Sequence, residues 1–168
     1  MRQARAFTLV EILIVVVLLG IMAGIVIPTI GKSTTGARET TLAMDRNLLR
    51  RFIPVYTSQH KEVPPGHPGG DVTAPPTEQA FVDQAVLSSN ARGETAARGT
   101  VGYPYGPYLS NIPPNPFNHR DTIQVLGAGE AFPAVADDSH GWVYKPATGE
   151  IRSDNTGTHN DGRAYYDD

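Results

Sequence analysis

The sequence predicts an α+β protein in which a long N-terminal helix packs on a small antiparallel sheet. Three observations predict it. An uncharged apolar run, Ile12 to Ile30, stands near the start of the chain. Beyond Ala37, apolar residues return at helical spacing. From Glu62 onward, Pro and Gly punctuate short runs of β-forming residues.

The apolar run reads ILIVVVLLGIMAGIVIPTI. At about 1.5 Å per residue it spans roughly 28 Å, close to the hydrocarbon thickness of a bilayer. Such a run is too long and too apolar for a core helix of a small domain. Arg2 and Arg5 precede it. The positive-inside rule therefore keeps the N-terminus cytoplasmic and exports the body. An ordinary secretory signal peptide needs small residues at alternate positions just after its apolar run. Between Gly20 and Ile30 there is no such pair; the first is Gly31 with Ser33. Glu11 lies inside the apolar start. Unpaired at membrane depth, a carboxylate costs about 2.5 kcal/mol or more, and a signal peptide does not need it. A plain uncleaved anchor is the other simple account.

Arg5-Ala6-Phe7-Thr8-Leu9-Val10-Glu11-Ile12-Leu13-Ile14-Val15 resembles the prepilin-type N-terminal motif. Type IV pilins and the pseudopilins of type II secretion share that motif. The resemblance extends to Ile30 and implies a pilin-like fold. It also implies that a prepilin peptidase cuts between Ala6 and Phe7 and methylates the new N-terminus. Glu11, Gly20 and Pro28 stand where the family often has Glu, Gly and Pro. Ala6 departs from the usual Gly; it is the next smallest residue, so processing is still expected.

Cleavage would create a positive α-amine on Phe7. Glu11 would neutralise that amine, its own or a neighbour's, where apolar helices bundle away from water. It would thereby set the axial register of each subunit. A carboxylate snorkelling to the interface is the plainer alternative. Gly20, Gly24 and Pro28 recur every four residues. The glycines make a face that lets helices approach closely, and Pro28 removes a backbone donor. Glycine is also simply common in membrane helices. The division expected is a leader over 1–6, a transmembrane and filament-core helix over 7–30, an amphipathic continuation over 31–59, and an exported head over 60–168.

Leu42, Leu49, Phe52, Ile53 and Tyr56 share one helical face, with Arg38, Glu39, Asp45, Arg46 and Arg50 mostly off it. Pro54 is expected to bend the helix. Residues 62–76 read as a Pro- and Gly-rich loop. Thr77 caps a short helix running to Ser89. Residues 90–102 are polar and expected to be mobile. Residues 103–117 are extended by their prolines and pinned by Tyr108, Leu109, Ile112 and Phe117. Ile123–Leu126 reads as a strand, and Gly141–Tyr144 with Glu150–Arg152 as a hairpin. Residues 106–117 and this hairpin resemble the corresponding parts of major-class pseudopilins.

The tail from Ser153 carries Asp154, Asp161, Asp167 and Asp168 among turn residues. Hard oxygen ligands on a loop suit Ca²⁺. Related pseudopilins hold a similar loop with calcium, where many pilins use a disulfide. This chain has no cysteine, so an ion would have structural value. The spacing does not match an EF-hand, and a solvated acidic terminus is the alternative.

A formal charge of −3 does not suggest nucleic-acid binding. Without cysteine there is no thiolate nucleophile. Gly127-Ala128-Gly129 lacks a third glycine and a following helix, so it is a turn and not a phosphate loop. The five histidines are scattered in loops, without helical zinc spacing. No enzymatic role is expected.

The resemblance implies a structural subunit of a type II secretion-like pseudopilus, polymerised to drive protein export. Its partners would be prepilin peptidase, copies of itself in a helical filament, other pilin-like subunits and the inner-membrane assembly platform. It would be a single-pass inner-membrane protein with a cytoplasmic N-terminus and a periplasmic head. Two alternatives stand beside it: a type IV pilin for adhesion, motility or DNA uptake, and a non-assembling membrane-anchored binding domain.

Overall fold

The computed structural model describes residues 8–159 and 161–167, apart from the side chains of 24–33. Ala6, Phe7 and Asp168 lie outside the described residues. The chain divides into two compact units, Met1–Arg38 and Glu39–Asp168. Helix α1, Leu9–Gln59, contributes to both.

In the first unit, every described side chain from Thr8 to Ala23 is exposed. A helix that is apolar all round has no polar face to turn outward. Among the described residues no helix is long and apolar enough to cross a membrane. The apolar run to Ile30 continues into residues 24–33, whose side chains are outside the description.

The second unit is built on the later turns of α1. Leu42, Leu49, Phe52, Ile53 and Tyr56 are all buried, as their spacing requires. Arg46 falls on the same stripe, four residues after Leu42 and three before Leu49, and is buried with it. Pro54 is exposed and does not end the helix. Its missing N–H removes one rung, and Thr57 Oγ1 donates to the Ile53 carbonyl one turn back (2.8 Å).

Helix α2, Glu78–Val86, starts at Thr77, whose hydroxyl accepts from the Ala80 N–H at 3.2 Å. It presents Phe81 and Ala85 to the core. Its buried Gln84 ties two loops together. Gln84 Oε1 accepts from the Gly66 N–H (2.7 Å), and Nε2 donates to the His67 and Gly93 carbonyls.

Strands β1, Ser88–Ser89, and β2, Thr95–Ala96, form a small antiparallel pair. The segment expected to be mobile is therefore anchored. Arg98 adds bonds from Nε to the Val86 carbonyl and from its guanidinium to the Ser110 carbonyl. Gly70 and Gly93 pass so closely that a Cβ on Gly70 would sit 1.8 Å from the Arg92 carbonyl. Both have positive φ, which glycine alone adopts freely.

The main sheet has the order β3–β4–β5, with β3 Ile123–Val125, β4 Trp142–Lys145 and β5 Glu150–Ser153. The β4–β5 hairpin is antiparallel, as expected. β3 instead pairs parallel to β4, so the sheet is mixed and not wholly antiparallel. Parallel neighbours need a crossover of a dozen or so residues, and 126–141 supply it. That crossover covers the outer face of β4. Trp142 and Tyr144 therefore join the main core, while Val143 packs with Leu126 and Tyr166 on the other side. Trp142 Nε1 donates to the Pro113 carbonyl at 2.8 Å, pinning the Pro-rich segment to the sheet. Leu109 and Ile112 are buried beside it, and Tyr108 and Phe117 pack against the same core.

His60 closes the end of α1. It is buried, stacks on Tyr56 at 3.8 Å, and bonds to the Tyr56 carbonyl and the Ser89 hydroxyl. With Nδ1–H donating to the carbonyl, Nε2 accepts from Ser89. Burial pushes its pKa down, opposed by hydrogen bonds to the Tyr56 and Asn90 backbones. The unfolded chain therefore takes up this proton more readily than the folded one. The stability His60 contributes is complete above its unfolded pKa of about 6.5 and is lost as pH falls through the lower folded value. Unfolding midpoints from pH 7.5 to 5 should fall for the native chain. His60→Gln should start lower and lose less over the same range; parallel curves would refute this account.

Candidate functional site

The start of α1 is held by a reciprocal pair of bonds. The Thr8 N–H donates to Glu11 Oε2 (3.2 Å), and the Glu11 N–H donates to Thr8 Oγ1 (3.2 Å). The Thr8 hydroxyl also lies 3.3 Å from the same carboxylate oxygen. This is a capping box, with Thr at the cap and Glu three residues later. It turns the Glu11 carboxylate back toward the positive end of the helix, beside the residue that follows Phe7. Ala6 and Phe7 themselves lie outside the described residues. A side chain at Gly20 would meet nothing within 4 Å, so packing within the chain does not require glycine there. Pro28 lies within α1, and its side chain is not described.

The other polar concentration follows β5. Asp154 is only 3% exposed. Its carboxylate accepts from the Asp137 N–H (3.1 Å), the His140 N–H (2.9 Å) and the Ser139 hydroxyl (3.2 Å). Asp138 takes the Thr156 N–H and hydroxyl. Asn118 Nδ2 donates to the His140 and Asp154 carbonyls, and Asn115 Nδ2 to the Gly141 carbonyl and Asn155 Oδ1. Asp161 is engaged by Arg163, at 2.8 Å to Nε and 3.1 Å to the backbone N–H. Hydrogen bonds from Arg163 hold the Asp161 carboxyl below the usual carboxylate range.

The last turn, Tyr165–Asp167, buries two rings. The Tyr165 hydroxyl donates to Glu39 at 2.9 Å. Burial, then that bond, push the phenol up to about 12. The Tyr166 hydroxyl donates to the Pro133 carbonyl (2.9 Å). The Arg152 guanidinium sits 4.3 Å from the Phe132 ring centre and 5.4 Å from that of Tyr166.

Residues 1–27 match the family described as the prokaryotic N-terminal methylation motif. Most of the chain is also similar to curated proteins named type II secretion system core protein G. The Klebsiella pneumoniae protein is 28% identical over 130 residues, 77% of this chain and 79% of that protein. The Klebsiella michiganensis protein is 23% identical over 152 residues, 84% of this chain and 95% of that protein. The Aeromonas hydrophila protein is 26% identical over 129 residues, 77% of each chain. The chain thus carries the N-terminal methylation motif and is similar over most of its length to type II secretion core protein G. No solved structure matches it.

Calcium needs roughly six to eight converging oxygens. Asp154 and Asp161, as described, are turned to other partners: Asp154 faces hydrogen-bond donors, and Asp161 faces a guanidinium. Among the described residues, no three His, Cys, Asp or Glu form a group able to hold a metal. Asp168 is outside the description. Among the described residues, these carboxylates do not converge as that ion needs.

Two features escaped the sequence reading. Thr8 was legible as half of a Thr-x-x-Glu box. The Glu39–Tyr165 bond joins residues 126 positions apart, and no local pattern announces it.

Proposed function

We propose that the chain is a structural subunit of a type II secretion-like pseudopilus. Prepilin peptidase cuts before Phe7. The helix over 7–30 then holds the subunit in the inner membrane with its N-terminus cytoplasmic and its head, 60–168, periplasmic. Residues 31–59 join the two. Copies of the chain, other pilin-like subunits and the inner-membrane assembly platform build a helical filament whose growth drives protein export. The role is structural and not enzymatic. The observation that carries this reading is the methylation motif over 1–27, joined to a body similar to core protein G.

The test is the mass of the chain purified from membranes of cells that contain the peptidase. The expected species begins at Phe7 and carries a methyl group on its α-amine. A dominant species still beginning at Met1 would overturn the reading.

A further inference from the structure

We infer that the C-terminal loop is closed by this chain's own side chains, so that the folded head is indifferent to calcium. The inference stands whether or not the chain assembles into filaments. It rests on where the oxygen donors point.

Asp154 anchors one end of the loop. A cation at this carboxylate would have to share it with the N–H groups of Asp137 and His140 and the Ser139 hydroxyl, three donors that already occupy most of its acceptor sites. Asp137, Asp138 and Asp154 concentrate negative charge, and each is already compensated. Asp137 accepts the Ser139 N–H (2.9 Å), Asp138 the two Thr156 donors, and Asp154 its own three. A carboxylate that accepts several N–H bonds is stable as the anion without a counter-ion. At Asp161 a cation would have to sit beside Arg163, a like charge.

The other end is anchored without carboxylate ligands. Tyr165 enters the main core against Phe117, with ring centres 4.5 Å apart, and Tyr166 enters the second cluster. Ser153 Oγ donates to the Tyr165 carbonyl, joining the exit of β5 to the end of the loop (2.9 Å). Hydrogen bonds at the start and buried rings at the end thus do the closing that a bound ion would otherwise do.

The experiment is thermal unfolding of the full chain in detergent, followed by circular dichroism, in EDTA or in about millimolar CaCl₂, the range of weak extracellular sites. The expected midpoints coincide. Asp154→Asn turns an amide NH₂ toward the His140 N–H or the Asp137 N–H, and should lower the midpoint equally in both buffers. Tyr165→Phe keeps the ring and loses the Glu39 bond, and should give a smaller drop, again equal in both. A rise of several degrees with calcium in the native chain, abolished by Asp161→Ala, would overturn the inference. An unchanged midpoint in Asp154→Asn would also overturn it. Should Asp154→Asn fail to fold, the native chain's response to calcium decides alone.

Discussion

Chains carrying Glu11→Gln should insert into the membrane like the native chain and fail to build filaments. The substitution isolates one property. Glutamine keeps the side-chain length and an acceptor oxygen for the Thr8 N–H, so the helix cap survives. The negative charge is lost, and with it the partner proposed for the Phe7 amine. A charge without a partner at membrane depth costs about 2.5 kcal/mol or more. At about 1.4 kcal/mol per factor of ten, assembly should drop by roughly fiftyfold or more. Thr8→Ala is the complementary probe. It removes the hydroxyl from the cap, at a cost of about 1 kcal/mol at the helix start, and leaves the charge in place. Filaments sheared from cells and compared with the membrane pool measure both. Native yield from Glu11→Gln would end the charge-pairing account. A loss in Thr8→Ala as large as that in Glu11→Gln would show that filament yield does not depend on the charge alone.

The second large effect is expected at Trp142. The indole is fully buried, and its N–H holds the Pro113 carbonyl. Trp142→Ala should cost about 3–5 kcal/mol from cavity formation and lost transfer energy. The released carbonyl adds to that loss. A domain of this kind has roughly 5–15 kcal/mol in total, so the head should unfold at far lower urea. Trp142→Phe retains most of the ring and should fall between the two. The chain has a single tryptophan, so fluorescence of that residue cannot follow the variants. Near-ultraviolet dichroism of the tyrosines can. A loss under about 1 kcal/mol in Trp142→Ala would contradict the central place given to β4.

What was legible in the sequence was local. The stripe from Leu42 to Tyr56 follows from the helical repeat, and each of its named residues is buried. Thr77 caps α2, and the turn at Lys145–Gly149 joins β4 to β5. What was not legible depends on distant partners. β3 is three residues long, and its parallel pairing depends on how the 126–141 crossover returns, which strand propensity does not encode. Residues 90–102 look mobile by composition, yet Arg98 and the Gly70–Gly93 approach hold them to other segments. At the candidate site, the position of Glu11 was evident. The tail aspartates were counted correctly as carboxylates, but the N–H groups facing Asp154 come from residues 137 and 140.

The bond between Tyr165 and Glu39 has a consequence for biogenesis. Glu39 opens the second unit and Tyr165 nearly ends it. With the N-terminus retained in the cytoplasm, Glu39 would leave the membrane early and Tyr165 almost last. On that topology the clasp between them could form only once residue 165 had crossed the membrane. A chain stopped short of Tyr165 would lack its clasp, its loop closure and a buried ring together. On the proposed function, a subunit truncated before Tyr165 would reach assembly without the bond that ties Glu39 to the loop after β5.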